Sequence, residues 1–557
     1  MKTNFPIKNQ IWTPSYIGEY WGDFVRAFRI NLYRDRGNIR FNYGLGIHTS
    51  NQDNSALNYP VSAFIYFDGY HWAFAEKVLK TEDLWNKFEV DTLTNSPTDL
   101  NDADAVIYQD KLIVSRPTDL AMLTSSSGTW DATWWTGTLG QPALQNCSHP
   151  LATMGSAHLF VGDKNNMHDI FGGDTVYLNR YTIPDENAEI EWIRTTSDFV
   201  YIGVNFEGKD KYMVVEFDPI SEKSKEIFLD QKAMGFVWND VFYLILEDGS
   251  LKVRSGSYAT TPLFEKIAQF PAYYGSKQPF RLPHRNGIAI YRGRPIFLVK
   301  ETDDKVTGLG GIYVFDKEVG IYHWDTVGND KSYGFPILHY AGALYVYENN
   351  AILASAEVYS TNLNSLKGIF CNWYSEKPEK FSWIELPEIT TTELDELWQN
   401  IAIFGRKLWG TDANPKVTVQ YRVKKPDAIP YSGKGTWNSE NSFSYTLYSD
   451  ATANDLAVGN AVMIMEGDGA GLIAHITDVD TENKIITIDK SVSGASGDLY
   501  FYLDGYKKVG TVTLENSYKI LSFPQPLISP WLQVRLIIEH HPITAVSIQH
   551  KPNNILE

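Results

Sequence analysis

Cysteine is nearly missing from this chain. Two thiols in 557 residues, Cys147 and Cys371, exclude a disulfide framework and a zinc site of the CxxC type. Both read as buried thiols. Basic charge is also scarce, with 49 Lys and Arg against 67 Asp and Glu and a formal net charge of −18. A protein that grips nucleic acid by its phosphates needs the opposite balance, or a basic stripe. The densest basic run, "RVKK" at Arg422 to Lys425, reads as a solvated strand end. No window approaches the ~20 apolar residues of a membrane helix, so no membrane-spanning segment is expected. The opening stretch "MKTNFPIKNQIWTPSYIGEYWGDF" has no apolar core of a signal peptide. The expectation is a soluble protein that folds in the cytoplasm.

Aromatic residues, in contrast, reach 14%. They suit half-buried sheet faces and contact surfaces alike. A unit of apolar strand, tight turn and apolar strand recurs along the chain. Its turns are placed at Asp68, Asp110, Ser156, Asp198, Asp240, Gly293 and Gly342, 42 to 53 residues apart. Asp, Gly and Ser tolerate the backbone angles of such turns. Further strand material follows each hairpin, such as "KYMVVEFD" and "GGIYVFD". Three or four short strands per period of this length make a propeller blade. Long stretches of 3.6-residue period are absent between Asp68 and Gly342, which excludes a solenoid of helix pairs. The expectation is an all-β chain with a seven-bladed β-propeller over residues 55–392.

After the propeller, "TTTELDELWQNI" (Thr390 to Ile401) reads as a boundary with a helical turn. Strands of period two resume in "NIAIFG", "KVTVQYRV", "GTVTLE", "LQVRLIIEH" and "AVSIQH". They predict a β-sandwich from residues 393–439 and 505–557. Residues 440–504 hold several short strands with Gly, Asp and Asn turns. A loop of that length is better read as an inserted small β-barrel-like module. Residues 1–54 form an arm with a hairpin turning at Asp35-Arg36-Gly37. The arm closes the ring, pairs with the sandwich, or reaches a neighbour.

Candidate chemistry is sparse. "MEGDGAGLIAH" (Met465 to His475) has the glycines of a phosphate cradle but neither the Lys-Ser/Thr ending nor a following helix, so it reads as a hairpin turn. "GDKNNMHD" offers Asp163, Asn165 and Asp169 to Ca²⁺ but lacks the fixed Gly and distal Glu of an EF-hand loop. His540 and His541 in "EHH" face opposite sides of an extended strand and cannot share one metal. "SSSGTW" and "GKGTW" brush against the Asp-box of sialidase propellers, but Ser127 and Lys434 stand where Gly belongs and the Asp is missing. "HWD" (His323 to Asp325) occurs once and reads as ordinary strand. Hence no catalytic, cofactor-binding or metal-ligating residue is assigned. Trp130, Trp134 and Trp135 in "TWDATWWTG" sit beside turn residues and read as interface candidates.

At the carboxyl end, "LWQNIAIFGRKL", "KVTVQYRV", "GTW", "YKKVGTVTLE" and "SPWLQVRLIIEH…ITAVSIQHKP" occur in an order that resembles the closing sandwich of propeller-bearing tail proteins of tailed bacteriophages. The blade stretch "SHPLATMGSAHLFVGDKNNMHDI" is similar to a phrase in those propellers. The resemblance implies a structural virion protein without a cofactor, not an enzyme, assembled in the host cytoplasm into the tail. Its partners would be copies of itself in a nozzle-like ring and neighbouring tail proteins such as adaptor and fibres. DNA would be met only in transit through a channel, whose acidic wall would let it slide. The rival expectation is a carbohydrate-binding or glycan-processing propeller that stacks sugars on exposed Trp and Tyr.

Overall fold

A computed structural model describes residues 60–84, 88–256, 262–270, 281–300, 310–317, 320–325, 327, 337–349, 351–359, 365–372, 381–386, 389–390, 396–405, 416–423, 432–448, 455–469, 472–513, 518–539 and 543–552, with short amino-terminal strands. They are nearly all β. Seven antiparallel sheets follow one another from Ala63 to Cys371. First strands of successive blades lie side by side except between blades 5 and 6, which meet through Phe236 and Phe297, and the first strand of blade 7 (Ile337–Tyr347) lies against that of blade 1 (Ala63–Phe67). The expected propeller is present.

Burial within each blade explains its sequence. Second strands such as "HLFVGD", "VFYLIL" and "RPIFLV" are buried on both faces and are therefore almost continuously apolar. Outer strands such as "TVYLNRYT" and "KSKEIFL" lie at the rim and are largely exposed. Several tips between first and second strands have two residues at positive φ: Asp68-Gly69, Gln109-Asp110, Asn239-Asp240 and Arg292-Gly293. That is the backbone of tight hairpins whose twist matches the strands. The second tip is thus Gln109-Asp110, which contains the expected Asp110.

Two expectations, the turn at Gly342 and the interface role of three tryptophans in blade 2, need correction. Gly342 is no turn: it lies inside the strand Ile337–Tyr347, and the tip of blade 7 is Glu348-Asn349. A Cβ on Gly342 would come within 2.6 Å of the Val61 carbonyl, which itself accepts the Ala343 N–H at 3.0 Å. The glycine serves the close approach of the last blade to the first. Blade 2 has only three strands. A bridge from Met122 to Asp131 and one π-helical turn, Trp134–Thr138, follow them. Asp119 organises that turn, accepting the N–H groups of Leu120, Trp135 and Thr136. Trp130, Trp134 and Trp135 are buried there, so they are core rather than interface.

The amino-terminal arm takes two of the three courses open to it. Gly46–Ile47 pairs with Phe370 and Cys371 as the outermost strand of blade 7. Lys2–Pro6, Ile30–Tyr33 and Asn38–Phe41 join one carboxyl-terminal sheet, and Ala27–Phe28 joins another. The propeller therefore runs from Ala63 to Cys371 plus Gly46–Ile47, not over residues 55–392. Phe381–Glu385 already belongs to the carboxyl-terminal sheets. The expected helical turn is strand where described, from Glu396 to Gly405.

Where a sandwich was expected there are two six-stranded sheets. Trp398, Ile401 and Ile548 of one, and Val419, Val534 and Leu536 of the other, enter the same buried cluster as Leu298 and Ile352 of blades 6 and 7. Propeller and sheets thus share a core. The inserted module is a closed six-stranded barrel. It starts at Gly433 rather than at residue 440, because Gly433–Ser439 pairs with both Ser442–Leu447 and Asp498–Tyr502. Trp437, Phe443 and Phe501 fill it.

Candidate functional site

The connections that lead into blades 2, 3 and 6 carry a set of polar side chains to one place. Asp102 and Asp104 precede blade 2, Ser148 and His149 precede blade 3, and His284, Arg285 and Asn286 precede blade 6. Arg285 donates from Nη1 to Ser148 Oγ at 2.6 Å and to Asp102 Oδ2 at 3.2 Å. His284 accepts the Asn286 N–H on Nδ1, so its Nε2 carries the proton and donates to Asp102 at 3.3 Å. Asn286 donates to Asp104 at 3.1 Å and to the Ser62 carbonyl at 2.9 Å. Residues more than 180 positions apart are thereby tied across the ring.

Charge placement makes this a brace. Burial works to raise the Asp102 carboxyl, but His284, Arg285 and Ser148 outweigh it and hold it well below the usual carboxylate range. Arg194, on the first strand of blade 4, donates to the carbonyls of Ile193, Gly235 and Arg285 at 2.8, 3.1 and 2.5 Å. Its burial lowers the guanidinium pKa, Asp104 opposes that, and the like charge of Arg285 adds to it. Asp104 also accepts the N–H groups of Ala105 and Leu151. Every carboxylate here is engaged by cations or N–H donors. The set is built to hold loops together and lacks a nucleophile with its base.

A second cluster lies on the other side of Ser148. Cys147, His149 and Asp163 each offer a ligand atom, all within 4.8 Å of one another. Cys147 Sγ is 4.0 Å and Asp163 Oδ1 is 3.8 Å from the same nitrogen, His149 Nδ1. Burial pushes the Cys147 thiol up to about 11. The oxygen ligands of "GDKNNMHD" do not converge: Asp163 turns to His149 and His168, Asp169 is paired with His158 at 3.0 Å, and Asn165 donates to the Ile183 carbonyl. Cys147 is half-buried rather than fully so; Cys371 is buried as expected. Of these three, only Asp163 stood out in the sequence, beside Asn165 and Asp169 rather than with Cys147 and His149. The available signal was Cys-x-His, two metal-binding side chain types one residue apart in the sequence.

The remaining motifs fall where local chemistry places them. Gly467 and Gly469 have positive φ in the turn between two barrel strands, as expected of a hairpin. Trp130 of "SSSGTW" donates to Asp91 at 2.8 Å between blades 1 and 2, and Trp437 of "GKGTW" lies in the barrel core. His323, Trp324 and Asp325 are buried strand residues. Arg422 of "RVKK" is buried and donates to Gln533 at 3.0 Å, so the run does not begin as a solvated end. His540 and His541 lie outside the described residues.

A separate aromatic group marks the seam between blades 7 and 1. The His71 ring is 4.4 Å from Tyr347 and 4.9 Å from Tyr66, and Nδ1 is 3.0 Å from the Tyr345 hydroxyl.

No protein-family model matches the chain. No curated protein matches it either. Among solved structures, it is similar to the extracellular domain of a B. thetaiotaomicron protein described as a hybrid two-component system, at 12% identity and a TM-score of 0.39, over 78% of this chain and 46% of that one. A second structure of that extracellular domain aligns over 82% of this chain and 53% of its own, so the chain spans about half the length of both. The Neurospora crassa Pan2 WD40 domain aligns at 13% identity and a TM-score of 0.37, over 62% of this chain and 98% of that domain.

Proposed function

We propose that this chain is a structural subunit of a bacteriophage tail, repeated as a nozzle-like ring around the DNA exit channel. One observation carries the self-assembly part of this reading: apolar side chains stand exposed along the rim of consecutive blades. Tyr177 and Leu178 of blade 3, Phe228 of blade 4 and Leu263 of blade 5 are 42% to 61% exposed, and Ile220 is 90% exposed. Ile220 lies in the turn before the last strand of blade 4, and the others lie on the last strands of their sheets, whose outer edges are unpaired among the described residues. A second copy of the chain is the occupant we assign to this rim. The carboxyl-terminal sheets sit at blades 6 and 7, so the rim of blades 3 to 5 and the sheets are different surfaces. A head-to-tail contact between different surfaces closes into a ring when the rotation permits. The net charge of −18 suits a wall past which DNA slides. The braced loops suit a rigid part, and the channel is assigned to the space between subunits.

The test uses Phe228→Glu with Leu263→Glu. Thermal unfolding of the isolated chain should stay within about 0.5 kcal/mol of the parent, because both side chains are exposed, while incorporation into tails is lost. On intact particles, antibody against the barrel should label the tail tip. Label along the capsid, or none on virions, would sink the proposal. The aromatic seam at Tyr66, His71 and Tyr347 favours glycan binding as the second reading. Saturable binding of host surface glycans that disappears in Tyr66→Ala would support it instead.

A further inference from the structure

We propose that Cys147, His149 and Asp163 form a structural Zn²⁺ site that locks the connection between blades 2 and 3. Convergence is the first argument. The sulfur and the carboxylate approach the same ring nitrogen, His149 Nδ1, at 4.0 and 3.8 Å. A Cys-His-Asp catalytic relay needs its acid and its nucleophile on opposite ring nitrogens, so this arrangement cannot pass a proton from one to the other. Ligands of one tetrahedral zinc ion stand about 3.4–3.6 Å apart, given metal–ligand bonds of about 2.0–2.3 Å. Small shifts of the side chains bring these three to that spacing.

The surroundings supply a second argument. His149 is buried with both ring nitrogens facing carbonyl oxygens: Nδ1 to Gly162 at 2.8 Å and Nε2 to Pro117 at 3.1 Å. A neutral imidazole has one N–H, so one of these contacts sets a lone pair against an oxygen. A metal on Nδ1 removes that conflict. The Nε2–H then donates to Pro117, as ligating histidines donate their second nitrogen to a carbonyl, and a water, or the Gly162 oxygen moved outward from its present 2.8 Å, completes the coordination.

Each of the other ligands also has its support. Asn179 N–H donates to His168 Nδ1 at 3.0 Å, so His168 Nε2–H donates to Asp163 Oδ2 at 3.3 Å. Oδ1 is left toward His149 and accepts the Gln145 N–H at 2.8 Å. The backbone N–H of Lys164 is directed at the Cys147 sulfur. Gly162 lets the strands meet: a Cβ there would fall 2.8 Å from Pro150. Thiolate, imidazole and carboxylate together favour zinc over the hard cations. Binding expels the thiol proton to solvent, and half-buried Cys147 is the route of entry. Since Ser148 Oγ accepts from Arg285, a metal held by residues on both sides of Ser148 also fixes one anchor of the brace.

The test is a titration of the chelator-treated full chain with Co²⁺. One equivalent should produce a thiolate-to-cobalt charge-transfer band that Zn²⁺ then removes. The band should vanish in Cys147→Ser, an isosteric change, and persist in Cys371→Ser. Asp163→Asn should weaken binding, and His168→Phe should weaken it about 10- to 100-fold. Zn²⁺ should slow labelling of Cys147 by a thiol reagent at least tenfold and raise the melting temperature of the parent but not of Cys147→Ser. No band in the parent, a band that survives in Cys147→Ser, or labelling indifferent to Zn²⁺ would each overturn the site. These readouts are independent of whether the chain assembles into a tail.

Discussion

Trp192 shows how tightly single residues set the blades. Its indole lies between Gly203 of its own blade and Gly235 of the next and donates to the Ala233 carbonyl at 2.9 Å. A Cβ on Gly203 would fall 1.9 Å from the ring. Gly203→Ala should therefore expel the indole and cost about 3 kcal/mol, measured by urea unfolding. His71 makes the seam of blades 7 and 1 sensitive to acid. Burial lowers its pKa to about 4, with Asp83 opposing. The neutral ring is thus favoured in the fold, and the stability is whole above about pH 6.5. It falls as pH drops from there toward 4, by an amount on the order of 2 kcal/mol. His71→Gln should flatten the pH dependence of the urea midpoint in that window; an unchanged slope would refute the assignment. Neither residue's role was legible beforehand, because Trp192 depends on Gly235 of the next blade and His71 on Tyr345 and Tyr347 of the last one. The triplet Trp130, Trp134 and Trp135 misled for the same reason: a π-helical turn carries Trp134 and Trp135 inward, and Trp130 packs on Trp72 of blade 1.

At the scale of elements, the hairpin period was readable because tip residues and doubly buried strands leave local marks. Asp68, Asp240 and Gly293 sit at tips, where positive φ selects residue type. Gly342 carried the same mark for a different cause, the approach to Val61. Barrel boundaries left less trace, since the strand Gly433–Ser439 alternates like those of the flanking sheets. The barrel's root is also tied down. Arg535, fully buried, pairs with Asp504, lies 3.8 Å from Glu385 and donates to Gln420 at 2.5 Å. Gln420 in turn meets His475 of the barrel at 2.6 Å. Replacing residues 433–503 by a short Gly/Ser linker should leave propeller and sheets folded with a cooperative thermal transition. Replacing 440–504 removes Asp504 while keeping an unpaired barrel strand. It should destabilise the remainder by about 3–5 kcal/mol, as breaking a buried pair does. Equal stability of the two deletions would show that Asp504 is not the anchor.

For the whole molecule, the decisive contacts are those of the amino-terminal strands, which pair with blade 7 and with both carboxyl-terminal sheets. No local pattern announces partners that far along the chain. Removing residues 1–47 takes the outer strand from blade 7 and strands from both sheets. The product should bind a hydrophobic dye, aggregate and unfold at far lower urea concentration; a monomer of parental stability would contradict the pairing. The same pairing imposes a timetable on synthesis. Ile47 leaves the ribosome more than three hundred residues before Phe370, its partner. At ~5–20 residues per second this is roughly 15–65 s. Lys2–Pro6 waits longer still, for Ala545 to Gln549. Early blades can form as they emerge, but the ring stays open until Cys371 is made, and Lys2–Pro6 stays unclaimed until translation is almost over. The nascent chain is thus a natural client for chaperones.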